Sequence, residues 1–298
     1  WTDDFAWVQS IADKYVGKCI GRQGLNGMVR MLTEEAISRG RTTTRFTFPE
    51  QDFSQGNLEV SVAPGMVSSI RFTDPLSGGS WKTALPLRPG DLLDLRAIEQ
   101  AVEQFGRLPS LDASFDIVPG EGVGESEILI KQARKKPWRS TLSVDDAGVR
   151  STGRYNTGVT FAYDDLFGVN DLLSLSAGSG TLVGGLGQRS RNGSLAYSVP
   201  FGYSTYSLSL SSYDYRQVIR GAYEKFVRAG DTQSVELSIN SVVARGQTFR
   251  SAIDLRVARK ESSQYINDVE LDVQRRNTAS IHLGLTHRQY VGPAVLEA

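Results

Sequence analysis

The sequence contains few of the residues from which catalytic and metal sites are usually built. Among its 298 residues there are one cysteine, Cys19, and two histidines, His282 and His287. These residues lack the spacing of a metal site, and the chain has neither a phosphate-binding loop nor a nucleophile elbow. We therefore expect no enzyme activity, no catalytic residue, no metal and no cofactor.

Excess charge and long apolar runs are also absent. Lys plus Arg and Asp plus Glu number 33 each, and no basic cluster is interleaved with aromatic residues, which argues against a nucleic-acid partner. No run of eighteen apolar residues is present, so we expect no transmembrane helix. No signal peptide precedes Trp1, where the chain already resembles the edge of a helix, and we expect a missing segment ahead of it.

The single cysteine allows two interpretations. Cys19 is either a buried small hydrophobic residue or one half of a disulfide. In the second case its partner lies before Trp1, because an odd cysteine in an exported protein suggests a missing mate. The residues themselves leave both interpretations open.

Alternation of apolar and polar residues is the most frequent pattern present, and it fills the region 137–298 as far as His287. Tyr206, Leu208 and Leu210, for example, alternate with serines. A two-residue period is the signal of a strand with one apolar and one polar face. It recurs about nine times, at 142–144, 159–163, 173–177, 195–201, 206–210, 235–243, 253–257, 269–273 and 281–285. We interpret this region as one antiparallel sheet.

The connections between these strands favour a membrane barrel over a soluble sandwich with adhesin-like binding domains. Tight connections are predicted at 200–204, 245–248 and 275–278, and long ones at 178–192, 213–232 and 260–268. Short turns at one end and long loops at the other are typical of membrane barrels, although 164–171 is longer than a tight turn. Aromatic residues near the strand ends suit a membrane interface.

The polar face of the sheet is then predicted to line a barrel lumen. Its lumen-facing residues are predicted to be Glu236, Asn240, Asp254, Arg256, Glu270 and Asp272. This mixture of charges is explained equally well by a functional role of the lumen and by the ordinary polar lining of any barrel. Because an open sheet edge is not tolerated in lipid, we expect further strands to complete the barrel, and we interpret the chain as a piece of a longer protein.

Two small α+β modules are predicted ahead of the sheet. The first, 1–63, has helices at 5–15 and 23–39 and strands at 42–48 and 58–62. The second, 64–136, has strands at 67–72, 115–118 and 128–130 and a helix at 92–105, with Leu95, Ile98, Val102 and Phe105 facing inward. A basic stretch at 131–139 is interpreted as a solvated linker to the barrel region.

Eight short motifs, distributed along the chain, carry a resemblance to a known family. They are Gly17-Lys18-Cys19-Ile20, Ser38-Arg39-Gly40-Arg41-Thr42-Thr43-Thr44-Arg45, Pro49-Glu50-Gln51-Asp52, Arg107-Leu108-Pro109-Ser110, Ile117-Val118-Pro119-Gly120, Ser151-Thr152-Gly153-Arg154-Tyr155, Gly168-Val169-Asn170-Asp171-Leu172 and Thr286-His287-Arg288-Gln289-Tyr290. In this order they resemble the outer-membrane transporters of two-partner secretion, the haemolysin-activator and filamentous-haemagglutinin-transporter family.

The resemblance implies two periplasmic POTRA modules, the first without its opening strand, followed by the first half of a transmembrane β-barrel. The family's upstream plug helix would be absent, and its lumenal loop motif would lie beyond Ala298. Ile219-Arg220-Gly221 is therefore interpreted as an accidental match or an exposed arginine. In some members the cysteine of the first module forms a disulfide near its opening strand, and this supports the disulfide interpretation of Cys19.

The resemblance also implies a function. The POTRA modules would receive an unfolded secreted client, namely an adhesin, cytolysin or toxin with an N-terminal secretion domain. The barrel, a monomeric pore surrounded by outer-membrane lipid in a Gram-negative bacterium, would then export that client. The alternative is a component of the barrel-assembly machinery, which also joins POTRA modules to a barrel.

Export requires a reversible grip on an extended chain, and an exposed strand edge supplies one because its backbone groups pair with any sequence. The predicted edges are 42–48 and 113–118. The predicted client-binding residues are Thr42, Thr44, Arg45, Phe46, Phe48, Phe115 and Ile117. Core packing is the alternative explanation for half of the apolar ones, since alternate residues must face the helices.

Overall fold

The computed structural model describes residues 3–52, 56–74, 79–149, 151–180 and 188–298. In these ranges the chain forms two small modules of helices and strands, followed by a large antiparallel sheet. The predicted boundaries at 63/64 and 136/137 both fall between strands. None of the helices in the described ranges is both long and apolar enough to cross a bilayer.

The first module packs two helices against a two-stranded sheet. It consists of α1 (Ala6–Ala12), α2 (Arg22–Ser38), β1 (Arg45–Thr47) and β2 (Ser61–Ala63), with β1 and β2 antiparallel. Its core contains Ile11, Met28, Leu32, Ala36 and Phe46. Strand β1 is shorter than the predicted 42–48, because a hydrogen bond of 3.2 Å from the Thr44 N–H to the Arg41 carbonyl closes a turn there.

The second module places its helices on a three-stranded sheet. It consists of β3 (Met66–Phe72), α3 (Trp81–Ala84), α4 (Leu95–Gly106), β4 (Leu111–Pro119) and β5 (Glu125–Arg134). The strand order is β3-β5-β4, with β3 parallel and β4 antiparallel to β5. Helix α4 begins at the cap residue Asp94, whose carboxylate accepts the Arg96 N–H at 2.8 Å.

Helix α4 buries two faces rather than one. Ile98 and Phe105 pack against the core of the module as predicted, but Val102 is 43% exposed and its predicted inward position is wrong. Gln100 and Gln104 are buried instead, at 2% and 3% exposure. These two polar residues face the large sheet, and their hydrogen bonds to it explain why they tolerate burial.

The large sheet has ten strands in antiparallel neighbour pairs. Its strands are β6 (Trp138–Asp145), β7 (Asn156–Asp164), β8 (Leu172–Ser179), β9 (Arg189–Phe201), β10 (Ser204–Arg220), β11 (Lys225–Arg245), β12 (Phe249–Ile266), β13 (Val269–Glu270), β14 (Arg276–Val291) and β15 (Ala294–Glu297). All except β13, which pairs only with β12, follow one another across the sheet, with β6 and β15 at its two ends.

The register of these strands gives the sheet one apolar and one polar face. Leu208 pairs with Leu237, which pairs with Val257 on the far side. On the opposite face, Asn240 pairs with Asp254. Large apolar side chains on the first face are exposed to the surroundings of the chain, as in the lipid-facing surface of a membrane barrel.

Two predicted long loops are in fact strand. The segment 213–232 contains the continuous ends of β10 and β11, which pair from Tyr213↔Thr232 to Arg220↔Lys225, and 260–266 belongs to β12. The prediction failed because polar residues occupy both faces here, so the two-residue period disappears while backbone pairing continues. The predicted loop 178–192 separates β8 from β9, and its residues 181–187 lie outside the described residues.

The predicted strand 269–273 and the turn 275–278 are also wrong. Asn267 and Asp268, with φ of 50° and 64°, form a turn that folds the two-residue strand β13 back onto β12. A short 3-10 helix, Asp272–Gln274, then leads into β14. Glu270 and Asp272 therefore lie in the β12–β14 connection, and both form ion pairs with Arg275 at 2.6 and 3.6 Å.

Candidate functional site

A cleft of about 450 Å³ separates the two modules. The first module contributes Thr42, Thr43 and Arg45 to its wall. The second module contributes the end of β4, from Ile117 to Pro119, and the turn 122–126. The cleft thus brings the two predicted strand edges to one place.

Strand β4 is the outer strand of its sheet. The Gly120 N–H donates to the Glu125 carbonyl at 2.9 Å, and the Lys135 N–H donates to the Ser110 carbonyl at 2.7 Å. In the common register of β4 and β5 these bonds assign the even-numbered residues of β4 to the ladder. The backbone groups of odd-numbered residues, including Ile117, therefore point away from β5, to the open edge.

Three of the seven predicted client-binding residues line the cleft, namely Thr42, Arg45 and Ile117. Thr44 and Phe46 are each 5% exposed and belong to the interior of the first module, so their predicted side-chain contact with a client is corrected. The hydroxyl of Thr44 accepts the Gly65 N–H at 3.4 Å, and the Phe46 ring packs on Trp7 at 5.8 Å between centroids.

The two other aromatic residues are also used for packing. Phe48 packs against the core of the first module, and Phe115 lies 5.8 Å from Phe105 between ring centroids. The physical reason is the alternation of a strand, which must direct every second side chain at the helices.

A set of hydrogen bonds holds the modules at a fixed spacing. The Leu95 N–H at the start of α4 donates to the Gly40 carbonyl at 2.9 Å, and Arg41 donates to the carbonyls of Leu92 and Leu93, each at 3.4 Å. Gly40 has a φ of +82°, and a Cβ at this position would lie 2.5 Å from an Asp94 carboxylate oxygen. Glycine is therefore needed for this close approach.

The second module is in turn docked on the ends of the barrel strands. Gln104 donates to the Gly202 carbonyl at 3.1 Å and accepts from the Thr205 hydroxyl at 3.3 Å. The Gly202 N–H donates to the Thr83 carbonyl at 2.7 Å. Gly202, with a φ of +59°, begins the predicted tight turn between β9 and β10.

A bulge in β11 adds an arginine to this interface. The register shifts between Val242 and Ala244, which leaves Val243 unpaired and turns Arg245 to the polar face opposite Arg250. Arg245 then donates to Gln100 at 2.8 Å and to Glu103 at 2.5 and 3.1 Å.

The arginines around Glu103 change the pKa of its carboxyl group. Partial burial by itself would raise the pKa of the Glu103 carboxyl. The hydrogen bonds and the charge of Arg245, together with the charges of Arg250 and Arg288, outweigh burial and lower that pKa below its usual value. Glu103 is therefore charged at neutral pH and binds the barrel through ion pairs.

The connection between β7 and β8 is the third docking point. Its length, which did not fit the pattern of tight turns, is explained by Asn170, which donates to the Thr83 hydroxyl at 2.9 Å and to the Ser80 carbonyl. The Thr83 hydroxyl in turn donates to the Val169 carbonyl at 2.9 Å. The motif at 168–172 therefore has a structural role between module and barrel.

The basic stretch 131–139 is mostly not a linker. Strand β5 continues to Arg134 and β6 begins at Trp138, so only 135–137 connects them. Arg134 and Arg139 form ion pairs with Asp165 and Asp164, each at 2.7 Å. The predicted solvated hinge is corrected to a charged contact with the barrel.

The remaining predicted site residues fall in two places. Glu236, Asn240, Asp254 and Arg256 share the polar face of the sheet, where Arg256 donates to Asp254 at 2.6 Å. Cys19 is exposed and has no disulfide partner in this chain, so the buried interpretation is wrong and the disulfide stays a prediction.

Two POTRA-type modules docked on a ten-stranded antiparallel sheet with one apolar and one polar face define a protein of the class that joins POTRA modules to an outer-membrane barrel. Comparison with known families agrees. A model described as POTRA domain, ShlB-type, matches residues 3–65, one described as POTRA domain matches 66–119, and one described as Haemolysin secretion/activation protein ShlB/FhaC/HecB matches 124–298. The chain belongs to the ShlB/FhaC/HecB family, which confirms the predicted family and fold class.

Individual relatives agree with this assignment. The chain is 34% identical over 290 residues to the outer membrane transporter CdiB-2 of Burkholderia pseudomallei, covering 97% of this chain and 50% of the relative. It is 31% identical over 286 residues to the hemolysin transporter protein ShlB of Serratia marcescens, covering 94% and 50%. The chain thus spans about half the length of these curated relatives.

Solved structures match in the same way. CdiB from Escherichia coli superposes with a TM-score of 0.89 at 26% identity, covering 97% of this chain and 54% of that one. CdiB from Acinetobacter baumannii superposes with a TM-score of 0.85 at 26% identity, covering 100% and 57%.

Proposed function

We propose that this chain forms the POTRA modules and part of the barrel of a monomeric outer-membrane pore in a Gram-negative bacterium, which captures an unfolded secreted client in the periplasm and exports it. The observation that carries the proposal is the cleft, where Thr42 and Arg45 of one module face Ile117 of the next. The names of the relatives, an outer membrane transporter and a hemolysin transporter, support it.

The client binds at the open edge of β4. The outward backbone groups at odd-numbered positions would pair with an extended client of any sequence, as an added strand. Side chains at the mouth of the cleft then add selectivity. Arg45 supplies a cation, and Val123, whose side chain is fully exposed, supplies an apolar contact.

The polar face of the large sheet provides the path across the membrane. Small residues, such as Ser174 and Ser176 of β8, occupy this face on the early strands, and Glu236, Asp254 and Arg256 occupy it on the later ones. Charges of both signs hydrate a passing polypeptide without retaining it. The apolar face contacts outer-membrane lipid, and folding of the client outside the cell supplies the driving force.

A proline at Ile117 tests the binding edge. Ile117→Pro removes an N–H that points to the open edge, whereas Ile117→Ala keeps this N–H and removes most of the side chain. We expect the proline variant to lose client secretion at least tenfold while the alanine variant secretes at close to the normal level. Secretion is measured by the amount of client in the medium, in the complete protein.

Heat-modifiable migration of the barrel serves as the folding control for both variants. Normal secretion by a folded Ile117→Pro protein would contradict the proposed edge. If the alanine variant loses secretion as severely as the proline variant, the side chain and not the backbone edge binds the client.

A further inference from the structure

A second cavity, of about 390 Å³, lies where α4 meets the polar face of the barrel strands. Its charged lining consists of one carboxylate, Glu103, and three guanidinium groups, those of Arg107, Arg250 and Arg288. The amide of Gln104 is also part of its wall. The cavity is therefore a positively charged space between the second module and the lumen.

Arg107 is the group in this cavity whose charge is least compensated. Its Nη2 donates to the Ser198 hydroxyl at 2.5 Å, but its buried Nη1 has no hydrogen-bond partner in the described part of the chain. Burial lowers the pKa of the Arg107 guanidinium. Arg107 is partly buried, and removing a cation from water without an anionic partner is costly, so an entering anion would lower that cost.

Of the other two guanidinium groups, that of Arg250 is only partly neutralised, whereas that of Arg288 has its own carboxylate partner. The buried Nε of Arg250 lies 3.4 Å from a Glu103 carboxylate oxygen, an ion pair that falls short of a hydrogen bond in the described ranges. Arg288 forms an ion pair of 2.8 Å with Glu297. Glu103 is itself shared with Arg245, so its one negative charge serves two arginines.

We propose that this cavity is a carboxylate-binding site at the entrance to the lumen, in which the unpaired Nη1 of Arg107 donates to the bound anion and the guanidinium group of Arg250 adds positive charge. The inference rests on the proposed function, because its expected occupant is an acidic side chain of the client as it moves from the modules into the barrel. Planar guanidinium groups bind carboxylates with strong, charge-assisted hydrogen bonds.

The position of the site suits a transient contact during export. Arg107 follows α4 directly, whereas Arg250 belongs to β12, so an anion bound between them touches both the second module and the barrel. An acidic residue held here would guide the client from the periplasmic module to the polar face of the sheet. Small anions of the periplasm share this chemistry and are the second possible source of the ligand.

The test measures binding of two probes, hexaglutamate and inorganic phosphate, to the complete protein in detergent by titration calorimetry. Arg107→Gln removes the charge and keeps a polar amide on a shorter side chain. Arg275→Gln is the matched control, because it removes the same charge in the β12–β14 connection. We expect Arg107→Gln to weaken hexaglutamate binding about tenfold, the effect of one charge-assisted hydrogen bond, and the control to bind normally.

The outcomes distinguish the two possible sources of the ligand. They also distinguish failure of the carboxylate-binding site from failure of the proposed function. Binding of hexaglutamate but not phosphate assigns the site to the client, and equal binding of both assigns it to small anions. Equal affinity of Arg107→Gln and the unchanged protein for both probes overturns the site, as does the absence of binding. Because these titrations need no client export, failure of the proposed function would appear separately, as normal secretion by the folded Ile117→Pro variant.

Discussion

Glu103 shows at the scale of one residue how the second module is held on the barrel. Its carboxylate accepts hydrogen bonds from Arg245 and lies 3.4 Å from Arg250. Sequence reasoning did not single out this residue, because a glutamate on a helix is most often a solvated surface residue. The signal available in the sequence was the spacing of Gln100 and Gln104, which places two polar residues one turn apart on the same helix. The structure shows that both are buried.

Acidification should therefore loosen the module from the barrel only at low pH. Because the docked state lowers the pKa of Glu103, its contribution to docking is complete above the ordinary value of 4.5 and is lost as pH falls through the lowered pKa. We expect a constant distance between spin labels at Val102 and Gln247 from pH 7 to pH 5, and a longer or broader distribution below 4.5.

The labelling requires a Cys19→Ser background, since Cys19 is exposed. Glu103→Gln is the control, and its distance distribution should no longer depend on acid in this range. A change of distance already between pH 7 and pH 5 in the unchanged protein would disagree with the lowered pKa of Glu103.

At the scale of one element, the bulge in β11 decides which face Arg245 occupies. Residues before it alternate so that Leu237 and Ile239 share the apolar face, and an unbroken strand would place Arg245 there as well. The unpaired Val243 reverses the alternation for the last two residues of the strand. One inserted residue thereby moves Arg245 from the apolar face of the sheet into contact with α4.

Deletion of Val243 should abolish this contact. The deletion moves Arg245 to the apolar face and removes its hydrogen bonds to Gln100 and Glu103, which weakens docking by about 2 kcal/mol or more. We expect the Val102–Gln247 label distance to lengthen at neutral pH, as it would in Arg245→Ala. Val243→Ala keeps the bulge and should leave the label distance unchanged. An unchanged distance in the deletion variant would show that the bulge does not place Arg245 on the polar face.

At the scale of the whole molecule, the two modules and the sheet form a continuous series of contacts. The joint at Gly40, Arg41 and Leu95 sets the cleft, and Thr83, Gln104 and Arg245 join the second module to the barrel. The cleft therefore holds a defined position relative to the lumen.

Gly40→Ala should disturb the first of these joints. An alanine at this position must adopt the unfavourable positive φ, and its Cβ displaces the Asp94 carboxylate. Together these effects destabilise the joint by about 1–2 kcal/mol or more. We expect faster protease cleavage between the modules and reduced secretion, with normal heat-modifiable migration of the barrel. Gly90→Ala, also at a positive φ but with open space around the new Cβ, is the matched control, and equal cleavage of the two variants would argue against a rigid joint at Gly40.

The sequence by itself determined the parts of this protein that are encoded locally. The alternation in 206–210 and 253–257 specified strands with one apolar face, the motifs specified the family, and Pro and Gly residues marked the turns. These features depend on residues close to one another in the chain, so their pattern is visible in one dimension. The same logic failed at 213–232, where polar residues on both faces removed the alternation that distinguishes strand from loop. It failed in the opposite sense at 269–273, where the alternation is present but a turn and a short 3-10 helix replace most of the predicted strand.

Only the tertiary structure decided the functional geometry. Arg245 and Gln100 are 145 positions apart in sequence, and Asn170 and Thr83 are 87 apart. No local pattern records such a contact, because it depends on how two independently folded units pack. For the same reason the sequence predicted Thr42, Arg45 and Ile117 as strand-edge residues, while the cleft they share and the arginine-lined cavity beside α4 arise from the packing of the two modules and the barrel.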